Sequence, residues 1–346
     1  VTHPTAVRSW EEIPQDAAGL DIGPGSVLVY DDALEATPAF ASLRDAFEIR
    51  YPVAAGEALK DLAAFPGHVE RILGRVTGLS RSDIRIVAAG GGSVGDFGGF
   101  AASVLLRGVE FVNVPTTWLA AIDSAHGGKT ALNSAGFKNQ IGTFHPAAEV
   151  WIFRSLLVAV PAAETRAAYG ELIKMAMLSG GELFAEVAAS GIGADELWRL
   201  LPSAIAAKAS IVALDPREET GHRQLLNLGH TLGHALESHF GIAHGVAVGS
   251  GLRFCVEWSR ARGYLADTEA DGLLSLLDRF EEFGQQALPP RPPLSRSRLT
   301  ELLDRDKKAT GPGEVTFVFL DSTGAPRLEA VAIAAIVDEA QRQGWL

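Results

Sequence analysis

The stretch 84-IRIVAAGGGSVGDFGGFAASVLLRGVEFVNVPTTWLAA-121 decides the fold class. Ile84 to Ala89 is a nearly continuous apolar run, as in a strand buried on both faces. Gly90, Gly91 and Gly92 follow as a turn without Cβ atoms, and a helical pattern then runs through Val94 to Arg107. Val109 to Val114 reads as the next strand. Pro115-Thr116-Thr117 closes it with two hydroxyls at a strand's carboxyl end, where parallel sheets bind ligands. Strand, glycine turn and helix N-terminus form an anion site, because free backbone N–H groups and the helix dipole meet a pyrophosphate there. The spacing is not G-x-G-x-x-G, so taken alone it also fits a tight strand-to-helix turn, with Gly98 and Gly99 allowing close helix packing.

Upstream, residues 1–26 are irregular in pattern, and the first strand is Val27 to Tyr30, closed by Asp31 and Asp32. An acidic residue at such a strand end is where nucleotide folds hold a ribose. Glu57 and Lys60 fall in the first turn of a helical pattern, where the default reading is a surface ion pair. Downstream, 122-IDSAHGGKTALNSAGFKNQIG-142 sets Asp123, Lys129, Lys138 and Asn139 among glycines, as expected of backbone wrapped around a charged ligand. Val150 to Phe153 closes the α/β region. After Pro161 the pattern is helical almost to residue 285. The expectation is α/β plus all-α: an α/β domain over 1–155 and a mainly helical domain over 156–346. The run 288-LPPRPPLSRSR-298 reads as a loop, Asp306-Lys307-Lys308 as the end of a short helix, Val315 to Leu320 as a late strand, and Ile333 to Gln343 as an amphipathic helix.

In the second half, 221-GHRQLLNLGHTLGHALESHFGIAHGVAVGSGL-252 sets His230, His234 and His244 among residues that otherwise read as buried helix. His230 and His234 stand at i and i+4 on one helix face, and His244 opens the next helix after a turn near Gly241. Two neutral imidazoles need only a third donor, often a carboxylate, to form an open metal site. The best third donor is Glu171 in 168-AYGELIKMAM-177, with Lys174 one turn later in an apolar helix where an unpaired charge is costly. A single histidine here would read as a core or cap residue; three with a carboxylate point to a metal.

Composition narrows the function classes. A net charge of −12 argues against non-specific nucleic-acid or anionic-membrane binding. No uninterrupted apolar run approaches the ~18 residues of a membrane span, and no basic-then-apolar leader pattern opens the chain. The single cysteine, Cys255, forms no internal disulfide, which fits a cytoplasmic protein.

Taken in order, GGGSVGDFGGF, RGVEFVNVPTT, DSAHGGKTALN, FKNQIG, GELIK, RQLLNLGHTLGHALE and HGVAVG resemble the motifs of the 3-dehydroquinate synthase family of sugar-phosphate cyclases, from about Asp31 to Lys308. The resemblance implies an NAD-holding Rossmann-like domain, a helical zinc domain (or cobalt in its place), substrate in the cleft between them, and a homodimer. It assigns Glu171, His230 and His244 to the metal, with His234 turned toward substrate. NAD would be held by Asp31, Glu57, Lys60, Gly91, Gly92, Asp96, Thr116, Thr117 and Leu119, with Asp123 and Lys138 alongside. Substrate would meet Asp123, Lys129, Lys138, Asn139, Lys174, Lys208, Arg223, Asn227, His234 and a lysine of the Lys307-Lys308 pair, and Arg107 would reach the neighbouring subunit's site. The implied reaction is loss of phosphate from a heptulosonate phosphate and closure of a carbocycle, with NAD reduced and reoxidised in each turnover. The chain departs from the family pattern at His126, where a small apolar residue is usual, at Ala159, and in a connector, DPREETGHR, one residue longer. Another sugar-phosphate cyclase such as an aminodehydroquinate synthase, a polyol dehydrogenase of the same fold, and a silent NAD- and zinc-binding protein remain the competing readings.

Overall fold

The structure is a computed structural model and describes residues 5–283, 293–304, 309–311 and 313–346. The chain divides into two compact units, residues 1–161 and 162–346.

Unit 1 runs β1 (Ala6–Trp10), β2 (Ser26–Asp31), α1 (Phe40–Asp45), β3 (Ile49–Val53), α2 (Phe65–Arg75), β4 (Arg85–Gly90), α3 (Gly92–Val104), β5 (Glu110–Pro115), β6 (Lys129–Ser134), β7 (Phe137–Phe144), β8 (Glu149–Phe153) and α4 (Arg154–Leu157). Six strands form one parallel sheet in the order β1-β8-β5-β4-β2-β3. Burial on both faces makes the central strands nearly all apolar. Leu28, Tyr30, Val87, Ala89, Val112, Val114, Trp151 and Phe153 pack on Phe40, Leu43 and Phe47, while Val27, Val29, Ile86 and Ala88 are buried on the other face. There α3 lies so close that a Cβ on Gly98 would stand 2.5 Å from the Cβ of Ala88. Pro52 is tolerated in β3 because that strand is an edge. The chain leaves β2 for β3 on one side and β4 for β5 on the other, so the carboxyl ends of β2 and β4 flank the switch point where such sheets bind ligands.

Several expectations need correction. Residues 6–10, read as irregular, form β1, which escapes pattern analysis because it is an exposed edge strand. The helix after Gly92 ends at Val104. A tight turn follows in which Leu106 and Arg107 have φ of 48° and 69°. Residues 129–144, expected as wrapped loop, form the antiparallel hairpin β6-β7, closed by Ala135 and Gly136 at positive φ.

Unit 2 contains α5 (Ala162–Ser179), α6 (Gly181–Ala189), α7 (Ala194–Leu214), α8 (His230–Phe240), α9 (His244–Ala261), α10 (Asp267–Phe283), α11 (Arg296–Asp304), β9 (Ala309–Gly311), β10 (Glu314–Ser322), β11 (Ala325–Ala332) and α12 (Ile333–Arg342). Arg296 to Arg298, read as loop, are helical in α11, and the late strand is the centre of a small sheet, β11-β10-β9. Among the described residues, α7 alone is long and apolar enough to cross a membrane by length and composition. Its Leu197, Leu200, Leu201, Ala204, Lys208 and Ile211 form one buried stripe at helical spacing, the mark of a helix facing a core. Lys307 and Lys308 lie outside the described residues.

Candidate functional site

In unit 1, Asp31, Gly91, Gly92, Thr116 and Thr117 lie at the carboxyl edge of the sheet, whereas Arg107 follows α3 at the opposite edge. Asp31 ends β2, with its Oδ1 accepting from Ala33 N at 3.1 Å. Gly91 and Gly92 begin α3, where a Cβ on Gly92 would come 3.3 Å from Ser124 Oγ, a tight approach that the Ser124 side chain would have to ease. Thr116 N donates to Gly90 O at 3.0 Å, joining the ends of β5 and β4. Thr117 Oγ1 accepts from Ala120 N at 3.2 Å, and Leu119 opens the wide helical turn that carries Asp123.

The expected Glu57–Lys60 surface pair does not form. Lys60 is buried, with its ammonium 2.6 Å from Asp96 Oδ2 and hydrogen-bonded to Asn139 Oδ1. Burial raises the Asp96 carboxyl, and Lys60 opposes that rise. Glu57 instead accepts from Asn133 Nδ2 at 2.7 Å and lies 3.6 Å from Lys138 Nζ. Asn133 also takes the backbone N–H of Asn139 at 2.9 Å. It therefore ties Glu57 to the hairpin bearing Lys138 and Asn139, a role no sequence signal announces. Lys129, at the start of β6, and Arg107 are exposed. His126 is buried and donates from Nε2 to Ala121 O at 2.8 Å, closing the turn around Asp123 from within.

In unit 2, glycines bring the helices together. A Cβ on Gly245 would lie 1.5 Å from Ala167 O, and one on Gly170 would lie 2.0 Å from Gly245 O. The backbones of α5 and α9 thus touch beside Glu171 and His244. Gly229, left-handed at φ 79°, starts α8 beside His230, and a Cβ on Gly251 of α9 would stand 1.7 Å from its carbonyl. These contacts converge Glu171, His230 and His244, whose donor atoms all lie within 4.8 Å of one another. Each histidine Nε2 is 3.3 Å from Glu171 Oε1. The His234 ring joins the cluster, 5.0 Å from that of His230 and 5.9 Å from that of His244.

The electrostatics suit a cation. Glu171 is fully buried and neither oxygen has a hydrogen bond of regular geometry; what holds it is an ion pair with Lys174 and the two imidazoles. Burial alone would raise its pKa, but Lys174 and His230 outweigh that and hold it well below the carboxylate range. Burial, reinforced by Lys174, pulls His230 down to about 3, leaving it neutral and ready as a donor. For His244, burial disfavours charge, yet hydrogen bonds to Glu171 and Glu237 push the pKa up to about 10. A ligating imidazole must be neutral, so an incoming cation displaces that proton. A buried carboxylate facing two imidazole nitrogens fits a borderline cation such as zinc, which with three protein ligands keeps a fourth coordination position for chemistry.

Behind this cluster, Lys208 is buried on α7, which packs against the short 3-10 turn His222–Asn227 bearing Arg223 and Asn227. Arg223 is buried as well and donates from Nη1 to Pro216 O at 3.0 Å. Asp215, which the sequence shows only as the start of the acidic connector, orders it. Its carboxylate accepts backbone N–H groups of Glu219 at 2.8 Å, Thr220 at 3.2 Å and Arg223 at 3.2 Å. Glu237 was missed, although it follows His230 by seven residues on the same helix face, a legible signal.

Comparison with solved structures gives the class. The chain has the fold of the crystal structure of a 2-deoxy-scyllo-inosose synthase complexed with carbaglucose-6-phosphate, NAD+ and Co2+, at TM-score 0.80 and 24% identity, covering 93% of this chain and 91% of that one. It is equally similar to ValA, a 2-epi-5-epi-valiolone synthase from Streptomyces hygroscopicus subsp. jinggangensis with NAD+ and Zn2+ bound, at TM-score 0.81 and 21% identity, covering 99% and 98%. The chain shares the two-domain fold of these enzymes. Family models described as 3-dehydroquinate synthase N-terminal and C-terminal match residues 50–167 and 168–309. The 3-dehydroquinate synthase of Rhodopseudomonas palustris is 38% identical over 291 residues, covering 79% of this chain and 73% of that protein. The chain belongs to the 3-dehydroquinate synthase family.

Proposed function

We infer that the protein is a 3-dehydroquinate synthase, a carbon–oxygen lyase acting on a phosphate ester. It converts 3-deoxy-D-arabino-heptulosonate 7-phosphate to 3-dehydroquinate and phosphate, in the shikimate pathway toward chorismate and the aromatic amino acids. The observation that carries this reading is the convergence of Glu171, His230 and His244 in a chain whose family match runs through both units.

Glu171, His230 and His244 would hold the metal, and NAD would lie along the carboxyl edge of the unit 1 sheet, against Asp31, Glu57, Lys60, Gly91, Gly92, Asp96, Thr116, Thr117 and Leu119. When bound, NAD supplies a reversible hydride acceptor, and Zn2+ or Co2+ a Lewis acid toward hydroxyl and carbonyl oxygens. Arg223 presents a planar fork suited to the substrate carboxylate, and Lys208 adds a point charge. Lys129, Lys138 and Asn139, with Asp123, would orient the polyol and phosphate. Lys174, paired with Glu171, holds that carboxylate ionised; Asn227 and His234 offer hydrogen bonds to substrate oxygens. On this reading the protein works in the cytoplasm as a homodimer, with exposed Arg107 completing the partner's site; sedimentation velocity tests the dimer.

The deciding experiment is phosphate release with the heptulosonate phosphate, its amino analogue and a sugar phosphate lacking the carboxylate, each with NAD and zinc. Turnover of the first is expected. Turnover of the amino analogue alone would make the protein an aminodehydroquinate synthase, and release from none of the three would overturn the reading.

A further inference from the structure

The proposed chemistry accounts for Glu171, His230 and His244 but leaves Glu237 unused. Glu237 lies on the same face of α8 as His230 and His234. Gly241, left-handed at φ 63°, ends α8 and reverses the chain so that α9 opens on His244. As a result Glu237 Oε2 accepts a hydrogen bond from His244 Nδ1 at 2.8 Å. An imidazole that commits one nitrogen as a donor presents its lone pair on the other. The carboxylate claims Nδ1, so the lone pair of neutral His244 sits on Nε2, the atom that faces Glu171 Oε1 at 3.3 Å.

His230 is set by a different device. Its Nδ1 donates to Leu228 O at 3.1 Å, a neutral acceptor two residues back along its own chain. The difference follows exposure, since the His244 side chain is 27% exposed against 10% for His230. The more open ring has fewer packing contacts to hold it, and it receives the shorter, charged bond.

We propose that Glu237 is a positioning residue for the metal, fixing the tautomer and orientation of His244 and making its Nε2 a stronger donor. The proposal rests on the reading of Glu171, His230 and His244 as metal ligands. Outer carboxylates of this kind contribute about 10- to 100-fold to metal affinity.

The test uses metal-free full-length protein, with Zn2+ affinity measured by competition against a chromophoric chelator and Co2+ loading followed by visible absorption. Glu237→Gln keeps an acceptor but loses the charge, and is expected to weaken Zn2+ binding about tenfold. Glu237→Ala removes both and is expected to approach a hundredfold loss with a changed Co2+ spectrum. The metal-free Tm of both variants should drop only by the small contribution of the partly exposed Glu237–His244 pair, about 2–4 °C, and no further as the affinity falls. In a His244→Ala background, Glu237→Ala should cause no further loss, because its effect passes through that ring. Wild-type affinity in both single variants would overturn the proposal. So would a metal-free Tm that falls with the affinity, or a full additional loss in the double variant. Failure of the wild type itself to take up stoichiometric metal is a separate result, and would overturn the metal reading of the three ligands.

Discussion

Replacing Gly245 by Ala tests whether the crossing of α5 and α9 assembles the metal site. The added Cβ would lie 1.5 Å from Ala167 O, a backbone atom that cannot rotate away. Non-bonded contact needs roughly 3.2 Å, so the two helices must part by about 1.5–2 Å. Metal ligation tolerates only about 0.2 Å, so Glu171 and His244, each adjacent to the crossing, can no longer share one ion. Overpacking costs typically 1–3 kcal/mol, and a clash with backbone belongs at the upper end, about 3 kcal/mol. For a unit of this size that corresponds to a Tm lower by roughly 6–12 °C. The assay is scanning calorimetry together with bound metal after dialysis against a weak chelator. Gly272→Ala is the control: it lies inside α10 with nothing within 4 Å of its added Cβ, and should be stabilising by about 0.4–1 kcal/mol. Wild-type Tm and stoichiometric metal in Gly245→Ala would refute the argument that this crossing sets the ligand distances.

Three further outcomes are expected. Arg223→Lys keeps the charge and loses the fork, and should lower kcat/KM at least tenfold, about 1.4 kcal/mol of transition-state stabilisation; an unchanged kcat/KM would remove Arg223 from the carboxylate. Absorbance at the NADH wavelength should stay flat during steady turnover, and stoichiometric NADH release would instead indicate a dehydrogenase. Burial opposes ionisation of Asp215, but the backbone N–H groups of Arg223, Thr220 and Glu219 outweigh it and bring its pKa from 3.8 to about 2. A depressed folded-state pKa contributes stability above the unfolded value that is lost as pH falls through the folded one. Asp215→Asn should therefore be less stable than wild type at pH 7 in urea melts, with the difference shrinking between about pH 4 and pH 2; a difference independent of pH would contradict this.

The α/β character was legible because a strand buried on both faces must be nearly all apolar, as Ile84 to Ala89 is, and because a glycine turn before a helix leaves few alternatives. The histidines were legible because i, i+4 spacing sets two rings on one helix face before any tertiary contact exists. The strand β1 was not, because an exposed edge strand needs no apolar alternation, and β7, exposed along nearly its whole length, hides for the same reason. The partner of Lys60 was misread because local spacing favours Glu57, while burial selects Asp96.

By itself the sequence determined the buried strands and helices, the family motifs and the residues able to ligate a metal, since these depend on local periodicity and side-chain chemistry. Only the tertiary structure decided which carboxylate meets which imidazole. Glu171, His230 and His244 converge because backbones touch where Gly170 meets Gly245 and Gly229 meets Gly251. That proximity depends on the absence of side chains at paired positions far apart in the chain, and no local pattern encodes the pairing.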